Sequence, residues 1–133
     1  MKRILILFLL AIAFVSCKKD SATSKIESQL IGEWELEAMS NMNGSTLFAP
    51  GNGNILLFEK GNVHKRKKNN MIIFEGNFSI QIKNDCLNTG RNTFLSTTDP
   101  NPIDMYISIE EGTLHLSTPN CYTDGGYLKY RKL

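Results

Sequence analysis

Ile72-Ile73-Phe74-Glu75-Gly76-Asn77-Phe78-Ser79-Ile80-Gln81-Ile82-Lys83 is the stretch on which the fold turns. Its even positions, Ile72, Phe74, Gly76, Phe78, Ile80 and Ile82, are small or apolar. They alternate with Ile73, Glu75, Asn77, Ser79, Gln81 and Lys83, which are mostly polar. A period of two is the mark of a strand with one face buried. The strand is long, and Gly76 in its inward row predicts a bend or bulge there. Asn69-Asn70 just before it reads as a two-residue hairpin turn. Such a turn pairs Lys67 with Ile72 and Lys65 with Phe74, which places both lysines on the inward face near one mouth of the fold. His64-Lys65-Arg66-Lys67-Lys68 therefore has two readings. It is a solvated edge that discourages strand pairing. Or Lys65 and Lys67 hold the anionic head of an amphiphile, or meet anionic lipid.

The same alternation extends in both directions. Glu33-Trp34-Glu35-Leu36-Glu37-Ala38 sets three acids against Trp, Leu and Ala. Ile55 to Phe58, Ile103 to Ile109, Leu114 to Leu116 and Gly126 to Lys132 give further strands, and Asn92 to Ser96 a weaker one. Gly51-Asn52-Gly53-Asn54, Gly61-Asn62, Glu111-Gly112 and Asp124-Gly125-Gly126 supply turns between them. Only Ser24 to Leu30 reads as helical, with Ser24 as N-cap and Ile31-Gly32 as the exit. The fold class is all-β, with about eight short antiparallel strands in one domain. Short connections favour an up-and-down barrel over a sandwich. Trp34, Leu36, Leu56, Phe58, Ile72, Phe74, Phe78, Ile80, Ile82, Met105, Ile107, Leu114 and Leu116 face inward. A barrel of this size is either filled by such side chains or holds one small apolar ligand, with Phe58, Phe74 and Phe78 as its wall.

The chain has 133 residues, 41% hydrophobic, with 15 Lys+Arg against 13 Asp+Glu. That balance excludes the basic excess of a nucleic-acid binder. The apolar residues are unevenly spread. Met1-Lys2-Arg3 precedes an unbroken apolar run from Ile4 to Val15, too short to span a bilayer but right for the core of a signal peptide. Residues 1–16 are thus expected to be a signal peptide, 17–25 a flexible tether and 26–133 the domain. The +2 formal charge then belongs to Lys2 and Arg3, and the remainder is neutral. Of the three cysteines, Cys86 and Cys121 form an even pair in an oxidising compartment, for which a disulfide is the favoured reading. It closes a loop of about 36 residues, worth about 4 kcal/mol in the chain-entropy model. Metal binding needs more ligands than His64 and His115 add. No Ser, Cys or carboxylate pair stands in a nucleophile or acid–base frame, and no Gly-rich phosphate loop precedes a helix. No enzyme, metal or cofactor is expected, and the chain is read as a monomer.

Two resemblances add to this. Phe14-Val15-Ser16-Cys17 resembles a bacterial lipobox, with Phe14 where Leu, Val or Ile is more usual. It implies that the Cys17 thiol is acylated and becomes the new N-terminus, tying the domain to a membrane. Lys18 after it implies the outer membrane. Gly32-Glu33-Trp34, after a short helical turn, resembles the Gly-x-Trp opening of lipocalins. There the Trp closes one end of the barrel against a basic residue of the last strand, for which Arg131 is the first candidate and Lys129 and Lys132 substitutes. Residues 26–133 look like the lipocalin-like domain of small bacterial envelope lipoproteins. The matching features are Pro50-Gly51-Asn52-Gly53-Asn54, Gly76-Asn77-Phe78-Ser79-Ile80, Leu114-x-Leu116 and Cys121-x-x-Asp124-Gly125-Gly126. The resemblance implies a tethered barrel that binds a small hydrophobic molecule. The alternative is an interaction lipoprotein with a filled barrel.

Overall fold

The computed structural model describes residues 21–100, 102 and 104–133; the expected signal peptide, Cys17 and the start of the expected tether lie outside them. A helix, α1 (Ser21–Leu30), precedes nine strands. These are β1 (Gly32–Asn41), β2 (Gly44–Leu47), β3 (Asn54–Glu59), β4 (Val63–Lys68) and β5 (Met71–Asn84), then β6 (Arg91–Thr97), β7 (Met105–Glu110), β8 (Thr113–Ser117) and β9 (Tyr127–Lys132). Each strand from β3 to β9 pairs antiparallel with the next. β1 joins both β3 and β9, which closes an eight-stranded barrel. β2 is an appendage on the far half of β1, paired from Ala38 to Asn41, and its four residues are all exposed. No alternation marks Gly-Ser-Thr-Leu, so sequence pattern does not reveal it.

The helix starts at Ser21, so residues 21–25, expected as tether, form its first turn and Ser24 lies inside it rather than capping it. Thr23 and Leu30 are buried and Ile26 packs against the core, a spacing that lays one helix face on the barrel. The chain then turns at Gly32, whose φ of 128° is open to glycine at little cost. Trp34 Nε1 donates to the Leu30 carbonyl at 2.7 Å, which satisfies one of the last helix acceptors. Lys132 Nζ lies 4.9 Å over the Trp34 ring and donates to the Gln29 carbonyl at 2.9 Å. The basic partner of Trp34 is therefore Lys132 and not Arg131. Lys132 stands directly across from Trp34 in the β1–β9 register, whereas Arg131 stands across from Glu35. Arg131 turns to the outside, where Nε lies 3.2 Å from Glu35 Oε2 and Nη2 donates to the Phe48 carbonyl.

The barrel core holds Leu30, Trp34, Phe58, Phe78, Ile80, Leu95, Ile107, Leu114, Leu116 and Tyr130. A second apolar patch lies outside the barrel wall. Phe94 is buried although it alternates with inward Leu95, and its ring meets Tyr106 at 4.9 Å. The connection after β8 brings Pro119, Cys121 and Tyr122 to this patch, where Cys121 is bonded to Cys86 with Cα atoms 6.0 Å apart. The disulfide thus ties the β8–β9 connection to the loop after β5.

A candidate ligand site in the barrel lumen

The hairpin from β4 to β5 sets the polar groups of the lumen. Asn69 and Asn70 have φ of 50° and 65°, the two positive values that a tight primed turn requires, and Lys68 pairs with Met71. Lys67 pairs with Ile72 as the turn demands. Then the register slips: Ile73 is an extra residue, and Arg66 faces Phe74, Lys65 faces Glu75 and His64 faces Gly76. Because side chains alternate, one extra residue moves a whole set to the opposite face. Lys65 and Lys67 therefore lie outside the barrel. Lys65 Nζ sits 2.8 Å from Glu59 and 3.6 Å from Glu75, and its bond to Glu59 holds its pKa above the ordinary lysine value. Lys67 Nζ meets Glu33 at 2.5 Å. Ile72, expected inside, is 54% exposed for the same reason. Gly76 is not the bulge; its missing side chain makes room for the Phe74 ring and for Thr98.

The slip turns His64 into the barrel and brings Arg66 to the rim of its cavity, with 44% of the Arg66 side chain still exposed. His64 is buried, stacked 6.2 Å from Phe58 and tilted 5.4 Å from Phe74. Its Nε2 lies 3.3 Å from Asp99 Oδ1, and its Nδ1 has no partner among the described residues. A carboxylate can only accept, so Nε2 carries the proton toward it. Arg66 Nη2 stands 3.6 Å from the same Asp99 oxygen, and its guanidinium lies 5.1 Å over the Phe74 ring. Tyr130, from β9, is buried, and burial pushes its phenol up to about 12, with the Arg66 charge acting in the opposite direction.

These groups border a cavity of about 220 Å³. Leu56, Phe58, Leu95, Met105, Leu116 and Leu128 form its apolar wall; His64, Arg66, Thr97, Asp99 and Tyr130 are its polar members. A second, more open space of about 190 Å³, toward Leu36, Asn54, Lys67 and Ile73, shares Leu56, Arg66 and Tyr130 with the first. Of the aromatic residues expected in the wall, Phe58 lines the larger space, Phe74 carries the Arg66 and His64 contacts, and Phe78 packs edge-on to Phe58 at 5.1 Å. His64, Arg66, Asp99 and Tyr130 were not among the residues expected there. The one sequence signal for the first two is Met71-Ile72-Ile73-Phe74, four apolar residues in a row where strict alternation fails. Among the described residues, no group of three or more His, Cys, Asp or Glu is placed to hold a metal ion.

Fold and cavity together define a class: a small, closed, antiparallel β-barrel with internal space and a charged group on its wall. No protein-family model, curated protein or solved structure matches the chain.

Proposed function

We propose that this protein is a lipid-anchored, lipocalin-like barrel of the bacterial envelope that holds one small hydrophobic or amphiphilic molecule in its lumen. The observation that carries the reading is the cavity of about 220 Å³ bounded by six apolar side chains. A well-packed interior leaves few voids larger than a water molecule. An apolar cavity of about 150 Å³ already accepts benzene, so this one has room for a single ring or a short chain. It lies below the roughly 300–1,000 Å³ of drug-sized pockets, which argues against a long lipid. The role proposed is binding, with the one polar partner of the His64 imidazole among the described residues being Asp99.

Native mass spectrometry of the full chain, released gently from its host cells, tests this. The expected spectrum contains the protein with one additional small molecule. A spectrum of bare chain from several preparations contradicts it. Membrane tethering is tested separately by Cys17→Ser, which moves the protein from the membrane fraction to the soluble fraction. Retention in the membrane overturns the anchoring part.

A second reading draws on Met71, Ile72 and Ile73, which are exposed together at the start of β5. Apolar residues grouped on a surface suit a protein contact, and an interaction lipoprotein would use them. A protein partner in the same spectra supports that reading.

A further inference from the structure

We propose that the lumen selects a short-chain or single-ring molecule bearing one ionised carboxylate, with Arg66 and Tyr130 donating to that carboxylate. This rests on the ligand-binding reading above and specifies the head group. Both residues border both spaces, so any molecule passing from one to the other runs beside them. Neither side chain donates a hydrogen bond among the described residues. The Arg66 guanidinium, on a side chain 44% exposed at the rim of the cavity, is held by its 3.6 Å ion pair with Asp99 and by the Phe74 ring. Arg131 provides a contrast, since its guanidinium donates to a carbonyl and stands beside a buried carboxylate. The Tyr130 side chain is 8% exposed and has no hydrogen-bond partner among the described residues. Burial keeps its phenol protonated at neutral pH, so it can donate but carries no charge to repel an anion.

A guanidinium is planar and presents five N–H donors in a fork that matches a carboxylate. The ring of Phe74 lies 5.1 Å beneath it. The charge count sets the valence of the head. Arg66 supplies one positive charge, and Asp99 is close enough to offset part of it. A singly charged carboxylate suits such a site, whereas a doubly charged phosphate monoester meets repulsion from Asp99 in a space whose second nearby cation, Lys67, is already neutralised by Glu33. Asp99 also faces His64, so it keeps a partner when Arg66 turns to a ligand. Lys65 is already paired with Glu59 and Glu75 outside the wall, and Lys67, paired with Glu33, borders the smaller space only.

The test titrates the full chain calorimetrically at pH 7 with hexanoate, hexan-1-ol and hexylammonium, which share one tail and differ in head. Hexanoate is expected to bind about tenfold tighter than hexan-1-ol, in line with one hydrogen bond to a charged group. Hexylammonium is expected to bind weakest. Arg66→Gln abolishes the preference for the acid while leaving hexan-1-ol binding in place, and Tyr130→Phe reduces the preference several-fold. Retained hexan-1-ol binding reports that each variant is folded, and a thermal melt checks it independently. Equal binding of acid and alcohol to the native chain overturns the carboxylate assignment but leaves the ligand-binding reading standing. An unchanged preference in Arg66→Gln does the same. Absence of binding by all three probes overturns both.

Discussion

At Gly76 there is no room for a methyl group. A Cβ there would stand 2.5 Å from Thr98 Oγ1 and 2.8 Å from the nearest atom of the Phe74 ring. Gly76→Ala is therefore expected to destabilise the fold by about 1–3 kcal/mol, the usual range for overpacking. Urea denaturation measures this, and a second substitution, Phe74→Leu, should recover part of the loss by clearing the ring. Glu35 illustrates a different constraint. It is buried outside the barrel, where it accepts from the amides of Gly51 at 3.1 Å and Gly53 at 3.4 Å and faces Arg131. The Gly51 amide, followed by that of Gly53 and the charge of Arg131, holds its pKa below the ordinary 4.5 against the opposing effect of burial. A carboxylate with a lowered folded pKa contributes stability above its unfolded pKa and loses it as pH falls through the folded value. The urea midpoint of the native chain should thus fall below about pH 4.5, and Glu35→Gln should flatten that fall. Parallel curves for the two proteins would remove Glu35 from this role.

The β4–β5 hairpin separates what was legible in the sequence from what was not. Alternation located β5, and two consecutive asparagines located the turn, because both are local properties of the chain. The extra residue at Ile73 is set by how the two strands meet, and its one trace in the sequence is the unbroken apolar run from Met71 to Phe74. Each position from His64 to Arg66 was consequently assigned to the wrong face, and the charged group of the lumen passed from two lysines to one arginine. The partner of Trp34 follows the same logic. The sequence shows a basic last strand, but register alone chooses Lys132 over Arg131. Replacing Lys65 with Gln should leave ligand binding unchanged and shift stability by no more than about 1 kcal/mol, as for other ion pairs on the outer surface. The disulfide was readable from cysteine count, but the patch it covers was not, since Phe94 occupies the outer face of β6 and owes its burial to the β8–β9 connection. Reduction of Cys86–Cys121 is expected to lower unfolding free energy by up to about 4 kcal/mol. The barrel core lies on the other side of the wall, so far-ultraviolet circular dichroism should retain its strand signal.

Across the whole molecule, one end of the barrel is sealed and the interior is only partly filled. Helix α1 packs Leu30 into the core, and Trp34 and Lys132 lock its last turn in place. The core residues fill much of the barrel but leave the space beside Arg66 and Tyr130. A sequence pattern tells which residues face inward; whether their volumes fill the interior depends on barrel closure and stagger, which no strand reports alone. The central claim is that a small molecule binds inside this space. Methyl-resolved nuclear magnetic resonance of the full chain during hexanoate addition tests it most directly. The prediction is saturable shifts at Leu95, Met105, Leu116 and Leu128, whose side chains border the cavity, with Leu47, Met71 and Ile72 on the surface unmoved. Shifts confined to Leu47, Met71 and Ile72, with the cavity methyls silent, would contradict it.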